Sequence, residues 1–281
     1  MTPEATARSL CEQLGEPAAR PRRARDGREH HLFVIQLRGE ERLLKFPKDD
    51  GLRDPYDPSR SPEDRLRAEA SAIQLARDVE VPPDYRFHAT TPVCSTMAII
   101  PGTTAEIAYE DGKLDEDGLL AVSLQMGRTL AALHSRRRPS DPEAAAALPD
   151  LPGVDPLNAR LLHLDYHLGN VMIRPSLGSR WAVAGVVDWT CARWGQPEAD
   201  LVEMQVSAFV MNPRARDAFV AGYRKACGRA IDIALVERLA RAEIRRRLVE
   251  DPPENPVQVA RWKDWVDQRA SGRSLPPPRT K

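Results

Sequence analysis

Two short apolar runs, each tied to an acidic residue, constrain this chain more than any other feature. The stretch "LLHLDYHLGNVMI" (161–173) puts Asp165 five residues before Asn170, and "WAVAGVVDW" (181–189) carries its apolar run into Asp188. Both runs are short enough to be strands with turns between them. Two unrelated chemistries suit the first stretch. If residues 163–167 were extended, the period of two would align His163, Asp165 and His167 as metal ligands. The other histidines, His30, His31, His88 and His134, show no HxxxH or HExxH spacing that would complete such a site. The second chemistry is phosphoryl transfer, and it makes demands elsewhere in the chain.

Those demands depend on how the rest is organised. The runs "HLFVIQL" (31–37) and "RLLKF" (42–46) predict a hairpin, and "VCSTMAII" (93–100) predicts a buried strand ended by Pro101-Gly102. In "SPEDRLRAEASAIQLARD" (61–78), Ser61 as N-cap, Pro62 after it and acidic residues in the first turn predict a helix. Leu66, Glu69 and Ile73 share one face of it, so Glu69 is a charge on an apolar face and needs a partner. Beyond residue 113 the periodicity is mainly helical: 117–134, 198–211, 213–226 and 232–249 predict helices, and 135–158 a short helix among loops. This asymmetry predicts two lobes within the 281 residues. Trp262 and Trp265, three apart, read as packing residues.

Composition narrows the function classes. The 41 Lys plus Arg balance 41 Asp plus Glu, which argues against nucleic acid or an anionic membrane as the partner and favours a small, bounded ligand. Cys11, Cys94, Cys191 and Cys227 are widely spaced, as suits a reducing compartment. The first residues contain no apolar core of signal-peptide length, and no run of about 18 apolar residues occurs, so a soluble, cytoplasmic protein is expected.

Phosphoryl transfer needs an Asp to orient a hydroxyl, oxygen ligands for magnesium and a cation for nucleotide phosphates. Asp165, Asn170, Asp188 and Lys45 supply these in the required order, and Glu69 is the natural ion-pair partner of Lys45. The segments "HLDYHLGNVMI", "GVVDWTCARWGQPEADL", "RLRAEASAIQLA" and "IIPGTTAEI" with "LAALH" resemble the aminoglycoside phosphotransferase and choline kinase-like superfamily, over about residues 27 to 205. The resemblance implies an α+β, bilobal protein-kinase-like fold. Its parts would be a small β-rich N-lobe with one helix (1–96), a hinge (97–102), a larger, mainly helical C-lobe (103–270) and a disordered tail (271–281). It further implies Asp165 as catalytic residue, and Lys45, Glu69 and the hinge residues Met97, Ala98, Ile99 and Ile100 as nucleotide-binding residues. Asn170 and Asp188 become the Mg2+ ligands, and His163 and Asp200 the braces of the catalytic loop.

The chain departs from the family pattern in several places. Leu164 stands where the family commonly has glycine, which predicts a slightly different backbone there. Only Gly27 is available for a glycine-rich loop, residues 47–62 look like an extra loop near the nucleotide, and the interval from His134 to His163 is short. The short interval shifts the acceptor pocket toward the C-terminal helices. An ATP- or GTP-dependent transfer to a hydroxyl of an antibiotic or related natural product is the expected activity. A kinase of choline, an amino alcohol or a sugar is the alternative, and a nucleotide-binding pseudokinase is a second, of another class. From Glu198 onward 16 Lys plus Arg face 12 Asp plus Glu, so a polycationic acceptor is not favoured. Oligomeric state is not legible in the sequence.

Overall fold

The structure, a computed structural model, describes residues 1–24, 29–48, 54, 56–79, 81–176, 180–228, 230–253 and 255–268. Gly27 and the segment 271–281 lie outside the described residues, so the expectations that fall on them stay there.

The N-terminal part alternates strands with two helices. In chain order these are α1 (Pro3–Gln13), β1 (Arg22–Arg23), β2 (His30–Leu37), β3 (Glu40–Pro47), α2 (Pro62–Leu75), β4 (Arg86–His88) and β5 (Cys94–Ala98). The strands form an antiparallel sheet in the order β1-β2-β3-β5-β4. The predicted hairpin is β2 and β3, closed by Arg38 and Gly39, both at positive φ (55° and 82°). That left-handed pair matches the twist of the two strands. One sheet face buries Phe33, Ile35, Leu44 and Phe46 against Ala7, Leu10 and Cys11 of α1. Side chains alternate along a strand, so Lys45, between Leu44 and Phe46, points to the opposite face. The second helix in this half, α1, is an addition to the single helix expected from sequence. Helix α2 starts with a full capping box, in which Ser61 accepts from Asp64 N–H and the Asp64 carboxylate accepts from Ser61 N–H.

The C-terminal part begins with β6 (Thr103–Thr104), α3 (Ala105–Glu110), α4 (Glu116–His134), α5 (Pro142–Ala145), β7 (Arg160–Leu162), β8 (Val171–Pro175), β9 (Trp181–Val186) and β10 (Arg193–Gly195). It closes with α6 (Leu201–Met204), α7 (Pro213–Cys227), α8 (Ile233–Glu250) and α9 (Pro256–Gln268). Helices α4 and α7 form its centre, and two glycines set how close they come. A Cβ on Gly127 would lie 2.0 Å from the Phe219 carbonyl oxygen, and one on Gly222 would lie 2.0 Å from that of Leu124. Strands β6, β8 and β9 make one small sheet and β7 with β10 another, and the loops between these strands carry the site. The helix predicted over 198–211 is broken into a 3-10 turn, the short α6 and a π-helical turn at Gln205–Phe209. Mixed sheet and helix, with antiparallel strands first and helices after, is the architecture the sequence predicts.

Candidate active site

Where the sheet of the first half meets the loops of the second, three residues far apart in sequence share hydrogen bonds. Lys45 on β3 donates from Nζ to Glu69 Oε1 at 2.9 Å and to Asp188 Oδ1 at 3.0 Å. Glu69 Oε1 also accepts the Trp189 N–H at 3.0 Å, and Glu69 Oε2 accepts the Tyr85 hydroxyl at 3.0 Å. The charge placed by sequence on the apolar face of α2 therefore accepts from three donors, and both carboxylate oxygens are used. Burial works against charge on Lys45, yet Asp188 and Glu69 outweigh it and hold the ammonium above its usual range. Burial likewise opposes ionisation of Asp188, and Lys45 overcomes it, keeping that carboxyl well below the usual range. The cluster is thus a persistent cation between two carboxylates, with Thr190 donating a further hydrogen bond to Asp188 Oδ1 at 2.9 Å.

The loop from His163 to Asn170 is not extended, and this ends the metal-ligand reading. His163 is fully buried; its Nδ1 accepts Asp165 N–H at 3.3 Å and its Nε2 donates to the Val187 carbonyl at 3.0 Å, so both ring nitrogens are engaged within the protein. Burial lowers its pKa, consistent with a neutral ring. Asp200, with no exposed surface, accepts the N–H of His163 at 2.9 Å and that of Leu164, and faces His134 Nε2 at 2.9 Å. Leu164 sits at φ 63°, a left-handed conformation that favours glycine. The leucine is held in this conformation by the Asp200 carboxylate and by burial against Leu162 and Cys191.

Asp165 follows directly, half-buried. Asn170 Nδ2 donates to its carbonyl at 2.9 Å and to its Oδ2 at 2.8 Å, closing the five-residue loop on itself. His167 Nε2 lies 3.5 Å from Asp165 Oδ1, and its Nδ1 accepts Gly169 N–H at 3.1 Å, which makes Nε2 the protonated nitrogen facing the carboxylate. Burial raises the Asp165 pKa, but the imidazole of His167 more than offsets it and keeps the carboxyl below its usual range. Val187 N–H donates to the Asn170 carbonyl at 2.9 Å, so the Asp165 loop and the Asp188 segment run side by side.

The residues present fit a magnesium ion of the sparsely ligated kind. Asn170 commits its Nδ2 to Asp165, which turns its amide oxygen away; Lys45 and Thr190 occupy Oδ1 of Asp188, not Oδ2. Two hard oxygens suit an ion that takes its remaining ligands from water and phosphate. Among the described residues no group of three or more His, Cys, Asp or Glu could form an all-protein metal cage. The proposed hinge connects β5 to β6. Met97 is buried, Ala98 N–H is taken by Pro83 O at 3.0 Å, Ile99 is exposed, and Ile100 packs over Gly185 of β9.

Several residues at the site were not singled out from sequence. Tyr85 and Thr190 touch the proposed site residues directly, and His167, read from sequence only as a candidate metal ligand, faces Asp165 instead. Asp54, Arg65 and Arg193 form a buried ionic node beside it, with Asp54 Oδ2 2.6 Å from Arg193 Nη2. Partners 139 positions apart leave no local signal.

Comparison with known proteins agrees with this arrangement. Residues 140–240, which contain Asp165, Asn170, Asp188 and Asp200, match the model of the phosphotransferase enzyme family. No curated protein matches the chain by sequence. Among solved structures, the chain is similar to macrolide 2′-phosphotransferase MphH from Brachybacterium faecium, at 16% identity and a TM-score of 0.59, covering 99% of each chain. It is also similar to aminoglycoside 2′-phosphotransferase-IIIa in its GDP complex, at 15% identity and a TM-score of 0.62, covering 96% of this chain and 99% of that one. A third is spectinomycin phosphotransferase with ADP and spectinomycin, at 12% identity and a TM-score of 0.56, covering 89% and 91%. The chain therefore has the protein-kinase-like fold of the aminoglycoside and macrolide phosphotransferases, and the segment holding its candidate catalytic loop matches the phosphotransferase enzyme family.

Proposed function

We propose that this protein transfers the γ-phosphate of ATP or GTP to a hydroxyl group of a small molecule, an antibiotic or related hydroxylated natural product. The observation that carries the reading is the convergence of Lys45, Glu69 and Asp188 in one hydrogen-bonded cluster, alongside the Asp165–Asn170 loop. Nucleotide sits between residues 1–96 and 103–270, against the hinge at Met97 to Ile100. Lys45 neutralises phosphate charge while Glu69 fixes its direction. Asp165, ionised and aimed by Asn170 and His167, orients the acceptor hydroxyl in line with the phosphate and takes its proton. Asn170 and Asp188 hold magnesium, which when bound supplies positive charge among the phosphate oxygens. Positioning and electrostatics carry such a reaction.

The acceptor ranking rests on charge. Carboxylates on the C-terminal helices are largely neutralised within the protein: Glu203 pairs with Arg247 at 2.5 Å, Glu243 with Arg246 and Arg247 at 2.6 Å, and Glu250 with Arg246 at 2.7 Å. A surface so balanced suits a hydroxylated acceptor of low positive charge better than a polycation. The test is a coupled nucleotide-turnover assay with magnesium and ATP or GTP, across macrolides, aminoglycosides, peptide antibiotics, choline, amino alcohols and sugars. Acceptor-dependent turnover should fall by about 10²-fold or more in Asp165→Asn, with nucleotide affinity retained. Near-normal turnover in that variant overturns the assignment, and nucleotide binding without turnover on any acceptor favours the pseudokinase.

A further inference from the structure

Lys45 contacts Asp188 directly, and the residues around that pair hold the two halves of the site together. The same face of α2 that sends Glu69 to Lys45 carries Arg65 one turn earlier, and residues four apart on a helix are neighbours. Arg65 is buried. Its guanidinium pairs with Glu29, just before β2, at 2.6 Å, and reaches Thr190 Oγ1 at 3.5 Å and Cys191 Sγ at 3.4 Å. The hydroxyl of Thr190 in turn donates to Asp188 Oδ1 at 2.9 Å. A guanidinium has no acceptor, so this chain of contacts has one polarity: Arg65 toward Thr190, Thr190 toward Asp188.

On its other side Arg65 faces Asp54, which lies between β3 and α2. Asp54 has no exposed surface; its Oδ2 lies 2.6 Å from Arg193 on β10, 3.0 Å from Arg60 and 4.0 Å from Arg65. Its Oδ1 accepts the N–H groups of Tyr56 at 2.9 Å and Asp57 at 3.2 Å, which ties these two residues to the node. One carboxylate thereby faces Arg60, Arg65 of α2 and Arg193 of β10. Removing a partner from such a buried ionic group leaves charge uncompensated, so the node favours a single arrangement of the parts it joins.

We propose that Asp54, Arg65 and Thr190 are positioning residues: a clasp between Asp54, α2 and the segment after Asp188 that sets the Asp188 carboxylate, and the Glu69–Trp189 bond beside it. The proposal rests on the functional reading above for its catalytic consequence, and on these contacts alone for its structural one. Two measurements separate these. In the first, hydrogen exchange is followed on the nucleotide-free protein. Asp54→Asn and Arg65→Met should raise exchange of the Trp189 amide and of the α2 amides at least tenfold, while the central α4 and α7 amides keep theirs. Unchanged protection at Trp189 in both variants overturns the clasp whatever the protein catalyses.

In the second, Thr190→Val, nearly isosteric but without the hydroxyl, is compared with Thr190→Ser, which keeps it. Val should lower kcat about tenfold and raise the magnesium concentration for half-maximal activity, with thermal midpoint close to that of the parent; Ser should restore both. Equal behaviour of Val and Ser overturns the relay. If the parent protein binds no nucleotide and turns over no acceptor, the functional reading fails, and the exchange measurement still decides the clasp.

Discussion

Leu164 shows how one residue can carry a cost that its neighbours make worthwhile. Its left-handed φ of 63° lets two successive N–H groups, His163 and Leu164, converge on one carboxylate, Asp200. For a residue with a side chain that conformation costs about 1–2 kcal/mol. Burial of the leucine beside Leu162 and Cys191 offsets it, since a fully buried leucine contributes about 1.5–3 kcal/mol. Two substitutions separate the terms. Leu164→Ala removes the packing and keeps the backbone strain; Leu164→Gly removes both. Chemical denaturation should therefore find the alanine variant less stable than the glycine variant by about 1 kcal/mol, the reverse of their order within a regular strand or helix. The glycine variant should keep kcat near that of the parent, because the Asp200 contacts use backbone groups. An alanine variant more stable than the glycine one would show that φ at this residue is not held left-handed.

Elements legible in the sequence are those whose signals are local. The capping box of α2, the β2–β3 hairpin and α4 are spelled out by residues within a few positions of one another, and the structure has each within a residue or two of where the pattern puts it. Helix α1 carried a readable signal too, since Ala7, Leu10, Cys11 and Leu14 fall at i, i+3, i+4 and i+7 behind Thr2 and Pro3; its short, weakly apolar face hid it. The site divides in the same way. Asp165, Asn170 and Asp188 were readable because spacing and strand ends carry the signal, whereas the Asp54 node depends on partners far away in the chain. The π-helical turn at Gln205–Phe209 was unreadable for a further reason: its supporting contact comes from α9. Trp262, buried there, donates its indole N–H to the Val206 carbonyl at 3.0 Å. Trp262→Phe keeps an aromatic ring and deletes that donor, so thermal or chemical unfolding should register a loss of about 1–3 kcal/mol. A neutral result would mean that packing alone anchors α9.

Across the whole molecule, buried imidazoles decide how the fold responds to acid. His30, at the start of β2, has its pKa pushed down to about 2, by burial first and then by the nearby charge of Lys45, with Asp188 acting the other way. His163 shifts in the same direction, again through burial. In the unfolded chain such residues take up a proton below about pH 6.5. The folded protein refuses it, so protons bind preferentially to the unfolded state and stability falls as pH drops from about 6.5. The depressed carboxyls, Asp188 and Asp165, also favour the folded state, but their contribution is intact above the ordinary Asp range and is lost only as pH falls through their lowered values. Two acid regimes should therefore be separable, a histidine regime that begins near neutrality and a carboxylate regime below about pH 4. A histidine that stays neutral in the folded state throughout, as His30 does, contributes a slope of about 1.4 kcal/mol per pH unit. Urea unfolding of His30→Leu between about pH 6.5 and 4.5 should be less pH-dependent than the parent by about 2–3 kcal/mol over that span. An unaltered slope would mean that His30 takes up its proton in the folded state, and that the sheet face beside Lys45 admits a second positive charge.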